Sequence, residues 1–263
     1  MTTSVLLERT GSLLESLYKL LPDPRPKSLF DNTELAAHRE QGPLWLDAAD
    51  NAILLDAVNK QPERWPGLVI ESPAPDDTLL AHLRHLLIVN FDGARRGVLR
   101  YSNPVTASYF FTSDSDHPNA SWLGPIFRLS WYGGTWADIA QNNQRWLHLD
   151  NPHAAQWTPP APPNPPRLSP AHEQALGRQE QERFAFEWWK RQTGTSFHQA
   201  LDYLDEGMVH GFAEDPSLMN RYLTLRAQHP VSQPPTFRLN SHGEQRLHAL
   251  QKLLQTTCTE STQ

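Results

Sequence analysis

His82 and His85 stand three residues apart in a stretch with helical periodicity. At that spacing two imidazoles on one helix face can share a metal ion. No third ligand follows at a recognisable spacing, so the pair reads as solvated or hydrogen-bonded histidines and no metal is expected. Asp114-Ser115-Asp116-His117 is rich in oxygen ligands but lacks the glycine and distal glutamate of a calcium loop, and reads as a solvated loop with a helix N-cap. The chain contains no G-x-S-x-G elbow, no G-x-x-x-x-G-K-[ST] loop and no G-x-G-x-x-G turn. No catalytic residue and no cofactor is therefore predicted.

The chemistry left is recognition by side chains. In Arg100-Tyr101, read as the end of a strand over 97–101, alternation sends one side chain inward and the other outward. Arg100 then either pairs with a carboxylate or carbonyl and fixes the turn at Asn103-Pro104, or meets a partner. Phe184, Ala185, Phe186, Trp188 and Trp189 cover an arc of about 200° on one helix, where a surface helix needs about 100°. Either that helix is sandwiched inside its own lobe or one edge of the arc docks a partner, for which aromatic residues are suited.

These groups need elements to hold them. Gly67 to Ser72 is a short apolar run between Pro66 and Pro73 and predicts a buried strand. Asp76-Asp77 opens a helix carrying Leu79, Leu80 and Leu83 at helical spacing, with acidic groups at its positive end. Residues 86–89 and 97–101 read as two strands around Asp92-Gly93, and Val105 to Phe111 as a helix. Upstream, helices are expected over 13–21 and 50–60, a loop with a short helix over 28–40, and a strand at 44–46. Downstream, 126–131 predicts a strand, with Trp136 and 145–147 as further short strands. From Asn151 to Pro170 there are eight prolines. Proline is excluded from helix interiors and central strands, so the stretch predicts polyproline II, its densest eight residues spanning roughly 25 Å. Ser169-Pro170 then starts a helix towards Arg191. Others follow over 196–209, 215–227 and 244–254. The predicted class is α+β: a mixed α/β domain with a small sheet (1–150), a Pro-rich linker (151–168), an all-helical lobe (169–230) and a tail with a short helix (231–263).

Composition narrows the partners. The 263 residues carry a formal charge of -6 and no dense basic cluster, which argues against a nucleic-acid partner. Residues 1–150 hold 13 basic and 18 acidic side chains and residues 151–263 hold 10 and 11, so the helical lobe must attract partners through apolar surface. The nine tryptophans predict a core rich in aromatic area. One cysteine, Cys258, excludes an internal disulfide. No apolar run approaches the roughly 20 residues of a membrane span, and the amino terminus lacks the basic region of a signal peptide. A soluble cytoplasmic protein is expected.

Several short motifs recur in a fixed order: Ser28-Leu29-Phe30, Gly42-Pro43-Leu44-Trp45-Leu46, Trp65-Pro66-Gly67, Ser72, His82-Leu83-Arg84, Arg100-Tyr101-Ser102-Asn103-Pro104 and Leu123-Gly124-Pro125. Together they resemble the type VI secretion adaptor-chaperones, the Tap or TEC proteins of domain of unknown function 4123. Asn103 stands where that family usually has Asp, and an Asn can serve the turn without charge. The resemblance implies a non-enzymatic cytoplasmic adaptor that brings an effector toxin to the VgrG spike. Its N-terminal domain would contact the C-terminal region of the spike and its helical lobe would hold the effector. The residues it and the aromatic arc single out for partner binding are Arg84, Arg100, Tyr101, Asn103, Pro104, Phe184, Trp188 and Trp189. A hydrolase with a spatially assembled site and a toxin-neutralising immunity protein are the alternatives.

Overall fold

The computed structural model describes residues 1–49, 51–93, 95–113, 120–159, 164–230 and 243–260, with side chains of 120, 121 and 255–260 excepted. It has the expected α+β composition and divides into two compact units, Met1–Gln179 and Glu180–Gln263.

The first unit is built on a six-stranded sheet in the order β2-β3-β1-β4-β7-β8. In chain order its strands are β1 (Thr2–Leu7), β2 (Lys27–Ser28), β3 (Leu44–Asp47), β4 (Gly67–Ser72), β7 (Arg128–Gly133) and β8 (Arg145–Asp150), and every neighbouring pair is antiparallel. A separate hairpin pairs β5 (Ile88–Phe91) with β6 (Arg95–Val98). The helices are α1 (Leu13–Leu20), α2 (Ala52–Lys60), α3 (Asp76–His85), α4 (Pro104–Phe110), α5 (Ala120–Leu123) and α6 (Trp136–Ala140).

Strand alternation splits the apolar side chains between two cores. Leu6, Trp45, Leu68, Ile70, Leu129 and Trp131 face one core with Leu79, Leu80 and Leu83 of α3 and Phe110 of α4. Val5, Leu7, Leu44 and Leu46 face the other with Leu13 and Leu17 of α1 and Leu54 and Val58 of α2. The sheet is thus covered on both faces, which is why Val5-Leu6-Leu7 reads as an unbroken apolar run.

Several elements differ from expectation. Residues 2–7 form the strand between β3 and β4, where the sequence suggested no element. The strand expected over 97–101 ends at Val98; Leu99 still donates to the Leu87 carbonyl at 2.8 Å, and Arg100 and Tyr101 lie in the turn before α4. Asn103 dictates that turn: its side-chain oxygen accepts from the Val105 and Thr106 amides at 2.9 and 3.3 Å, with Pro104 at the first helical position. The strand expected at 126–131 begins two residues later, because Ile126 closes a turn onto the Leu123 carbonyl at 2.9 Å. Trp136 opens a helix rather than a strand, since Thr135 and Asp138 form a reciprocal capping box.

The expected linker also differs. Residues 160–163 lie outside the described set, but the flanks belong to the first unit. Asn90 donates from its amide to the Pro166 carbonyl at 2.8 Å and receives the Leu168 amide at 2.9 Å, and Leu168 sits in the first core. The division into units falls at Gln179/Glu180 instead.

α7 (Pro170–Trp189) starts where Ser169-Pro170 predicts, the Ser169 hydroxyl accepting the His172 amide at 3.3 Å. The second unit holds the end of α7, α8 (Phe197–Val209), α9 (Pro216–Gln228) and α10 (Gly243–Glu260). Ser196 with Gln199, and Asp215 before Pro216, cap α8 and α9 as their sequences require.

Candidate functional site

The residues of the shared motifs meet in the first unit, and they meet as a brace. Glu8, buried at the end of β1, receives Arg100 through one carboxylate oxygen and the Ser102 hydroxyl through the other, both at 2.5 Å. Its own amide donates to the Pro66 carbonyl at 2.8 Å. Tyr101 is buried and donates its hydroxyl to the Leu83 carbonyl at 2.7 Å; burial pushes its pKa well above the usual phenol value. Arg84 donates to the Leu29 carbonyl at 3.3 Å. Ser72 donates to the Pro125 carbonyl at 2.7 Å and receives the Ala74 amide at 3.1 Å.

His82 is the tightest point of this brace. Its ring is 4% exposed and its Nε2 lies 2.9 Å from the Trp122 carbonyl, to which it donates, while its Nδ1 has no hydrogen-bond partner among the described residues. Trp157 packs edge-on to the ring at 5.0 Å. Burial depresses the imidazole pKa to about 4 despite the carbonyl acceptors of Trp122 and Leu123, and His85 adds to the depression. Gly124 is demanded by this contact. Its φ is +54°, and a Cβ there would stand 2.4 Å from a ring carbon of His82.

His82 and His85 share a cleft of about 460 Å³ with Leu86, Trp157 and Arg167. Among the described residues neither imidazole bonds a hydroxyl, and no three His, Cys, Asp or Glu side chains gather to hold a metal. The cleft walls a structural histidine.

Of the partner-binding residues expected in this unit, Tyr101 and Pro104 are therefore corrected. Both are interior, because the turn folds the ring and the proline inward. Arg84 and Asn103 are half-buried and engaged with backbone, and Arg100, 54% exposed at its side chain, is tied to Glu8.

In the second unit the aromatic arc divides. Ala185, Phe186 and Trp188 are buried, and Trp188 donates to the Thr224 hydroxyl at 3.2 Å, so its assignment to a partner surface is corrected to core. Trp189 is half-buried, donates to the Thr195 carbonyl at 2.9 Å, and packs at a tilt against the rings of Phe186 and Phe197, centroids 5.6 and 5.4 Å away. Phe184 lines an opening. It forms, with Leu204, Met208, Ala213, Pro216 and Met219, the apolar floor of a groove of about 470 Å³, rimmed by Glu180, Arg183 and Glu187.

Sequence reasoning missed the α8 and α9 contributions to this groove. The available signal was Gly207 inside a helical pattern. A Cβ there would stand 2.6 Å from the Met219 sulfur, so the glycine lets α9 approach α8 closely. A buried ion pair joins α8 and α9. Arg226, 1% exposed, donates to Glu206 at 2.6 and 3.0 Å and to the His229 carbonyl at 2.9 Å, and its guanidinium lies 4.7 Å from the Tyr203 ring centre. Tyr222 donates to the same Glu206 at 2.8 Å; burial first, and that carboxylate second, raise its pKa.

Residues 7–118 match the family model described as Domain of unknown function (DUF4123), which covers less than half of the chain. No curated protein and no solved structure matches. No described helix is long and apolar enough to cross a membrane.

Proposed function

We propose that this chain is a non-enzymatic adaptor that loads a type VI secretion effector onto the VgrG spike. The observation that carries the reading is the DUF4123 match over residues 7–118, the stretch in which most of the adaptor-like motifs lie. The second unit adds a surface suited to the task. Its groove offers an apolar floor with two methionines, Met208 and Met219, whose unbranched thioethers adapt to a partner's shape. In this reading the first unit meets the C-terminal region of the spike in the cytoplasm. The groove takes an apolar segment of the effector. Holding both partners on one chain raises the effective concentration of each for the other.

Co-purification tests it. The tagged chain should retain the spike protein and the effector encoded beside it, each also when offered alone. Retention of neither would overturn the adaptor reading.

A further inference from the structure

The two edges of the six-stranded sheet are built differently. β2 is two residues long, follows Pro24 and Pro26, and begins at exposed Lys27. Brevity, proline and lysine are the devices that keep an edge from pairing. β8 has six residues, no proline and an unbroken register with β7, from Gly133 opposite Arg145 to Arg128 opposite Asp150.

The direction of its backbone groups follows from one bond. The Asn151 amide donates to the Phe127 carbonyl at 2.7 Å, continuing that register. Antiparallel ladders alternate, so Leu149, Leu147 and Arg145 also aim their N–H and C=O at β7. Trp146, His148 and Asp150 aim theirs outward, where no backbone partner meets them among the described residues. Trp146 is 38% exposed, with its ring 6.0 Å from Tyr132. Leu147 and Leu149 are half-buried at the rim of the first core.

The geometry points to a second copy of this chain as the occupant of this edge: β8 pairs antiparallel with its own counterpart about a two-fold axis at His148. Such an axis, normal to the sheet, keeps both core faces on one side and joins only outward-pointing residues. The fullest register sets His148 opposite the partner's His148 and Trp146 opposite the partner's Asp150. Three pairs exchanging two bonds each give about six main-chain hydrogen bonds. On the core face Leu147 meets the partner's Leu149, and the converse, extending an apolar layer that now stops half-covered.

Charge favours the same partner in the same direction. Arg145, exposed and without a carboxylate among the described residues, marks one end of β8. Asp150, held by Arg128 at 2.7 and 3.1 Å, marks the other. Antiparallel pairing about His148 sets the two Arg145 side chains at opposite ends of the paired strands, each across from the partner's Asn151, so like charges stay apart. Parallel pairing would set arginine beside arginine.

Light scattering on the full chain across a concentration series should give twice the 29.9 kDa chain mass. His148 is exposed, so His148→Glu and His148→Lys should keep the wild-type circular dichroism spectrum while each falls to the monomer mass, since like charges directly opposite repel. An equimolar mixture of the two should recover the doubled mass. A wild-type monomer at every concentration, a dimer indifferent to both variants, or a mixture that stays monomeric would each overturn the pairing.

Discussion

Acid should loosen the first unit through one residue. His82 is neutral in the folded chain: Nε2–H serves the Trp122 carbonyl, and burial penalises a second proton on Nδ1, which has no hydrogen-bond partner among the described residues. Its folded pKa is about 4, against an ordinary 6.5. The sign follows from linkage. Above pH 6.5 neither folded nor unfolded chain protonates the ring and stability is level. Between 6.5 and 4 only the unfolded chain takes the proton, so stability falls as pH falls. At about 1.4 kcal/mol per pH unit the whole loss is roughly 3 kcal/mol, and about 2 kcal/mol of it should appear between pH 7 and pH 5.

Urea unfolding followed by tryptophan fluorescence would read this loss in wild type and His82→Gln, in the transition that the substitution displaces. The glutamine variant should be less stable at pH 7 yet lose about 2 kcal/mol less on acidification, histidines distant from residue 82 cancelling in the difference. NMR titration of the wild-type ring supplies the pKa directly. Equal pH slopes in the two proteins, or a His82 that titrates near 6.5, would refute the reasoning.

Other expectations concern packing and the groove. Gly124→Ala should cost the first unit more than about 2 kcal/mol in urea unfolding, because it adds both a steric conflict with the His82 ring and a strained positive φ. Glu206→Gln should lower the stability of the second unit by about 3–5 kcal/mol, since it strips the carboxylate from the buried Arg226 guanidinium. Trp188→Ala should destabilise the same unit by about 3–5 kcal/mol, measured by thermal or urea unfolding. Phe184→Glu, on the groove floor, should leave the unfolding midpoint in place and weaken effector capture at least tenfold by calorimetry.

The legible parts of the fold were those in which a local signal and a tertiary requirement coincide. Gly67 to Ser72 is bounded by prolines, and the Ser196 and Asp215 caps announce α8 and α9. The capping box at Thr135 and Asp138 carries equal information, against the strand expected at Trp136. β1 was hidden because a strand buried on both faces shows no alternation, and three apolar residues set no period. Arg100-Tyr101 was correctly split into one outward and one inward side chain, though a turn rather than a pleat does the splitting. Nothing local could pair Arg226 with Glu206 or aim Met219 at Gly207, because those contacts arise only when α8 and α9 pack.

The contrast between the two units bears on where partner choice resides. Motif residues in the matched stretch spend their polar atoms on their own backbone: Tyr101 on Leu83, Arg84 on Leu29, Ser72 on Pro125, Asn103 on its own helix. A side chain so engaged can reach a partner only by leaving an interior group unsatisfied, at a cost of about 1–3 kcal/mol. Such residues therefore define the frame and are poor instruments of choice. The groove has the opposite character. Its floor is apolar, partly open, and built wholly from residues beyond 118, outside the matched stretch, with Val209 on α8 84% exposed beside Met208. Exchanging Phe184, Met208 or Met219 for other apolar residues alters the shape of that opening without disturbing any polar pairing. Changes of effector should thus be accommodated by substitutions on α7, α8 and α9, while the brace around Glu8 and His82 stays fixed. A library varying the groove residues, selected for capture of a foreign effector, should yield binders whose first unit unfolds at the wild-type urea midpoint.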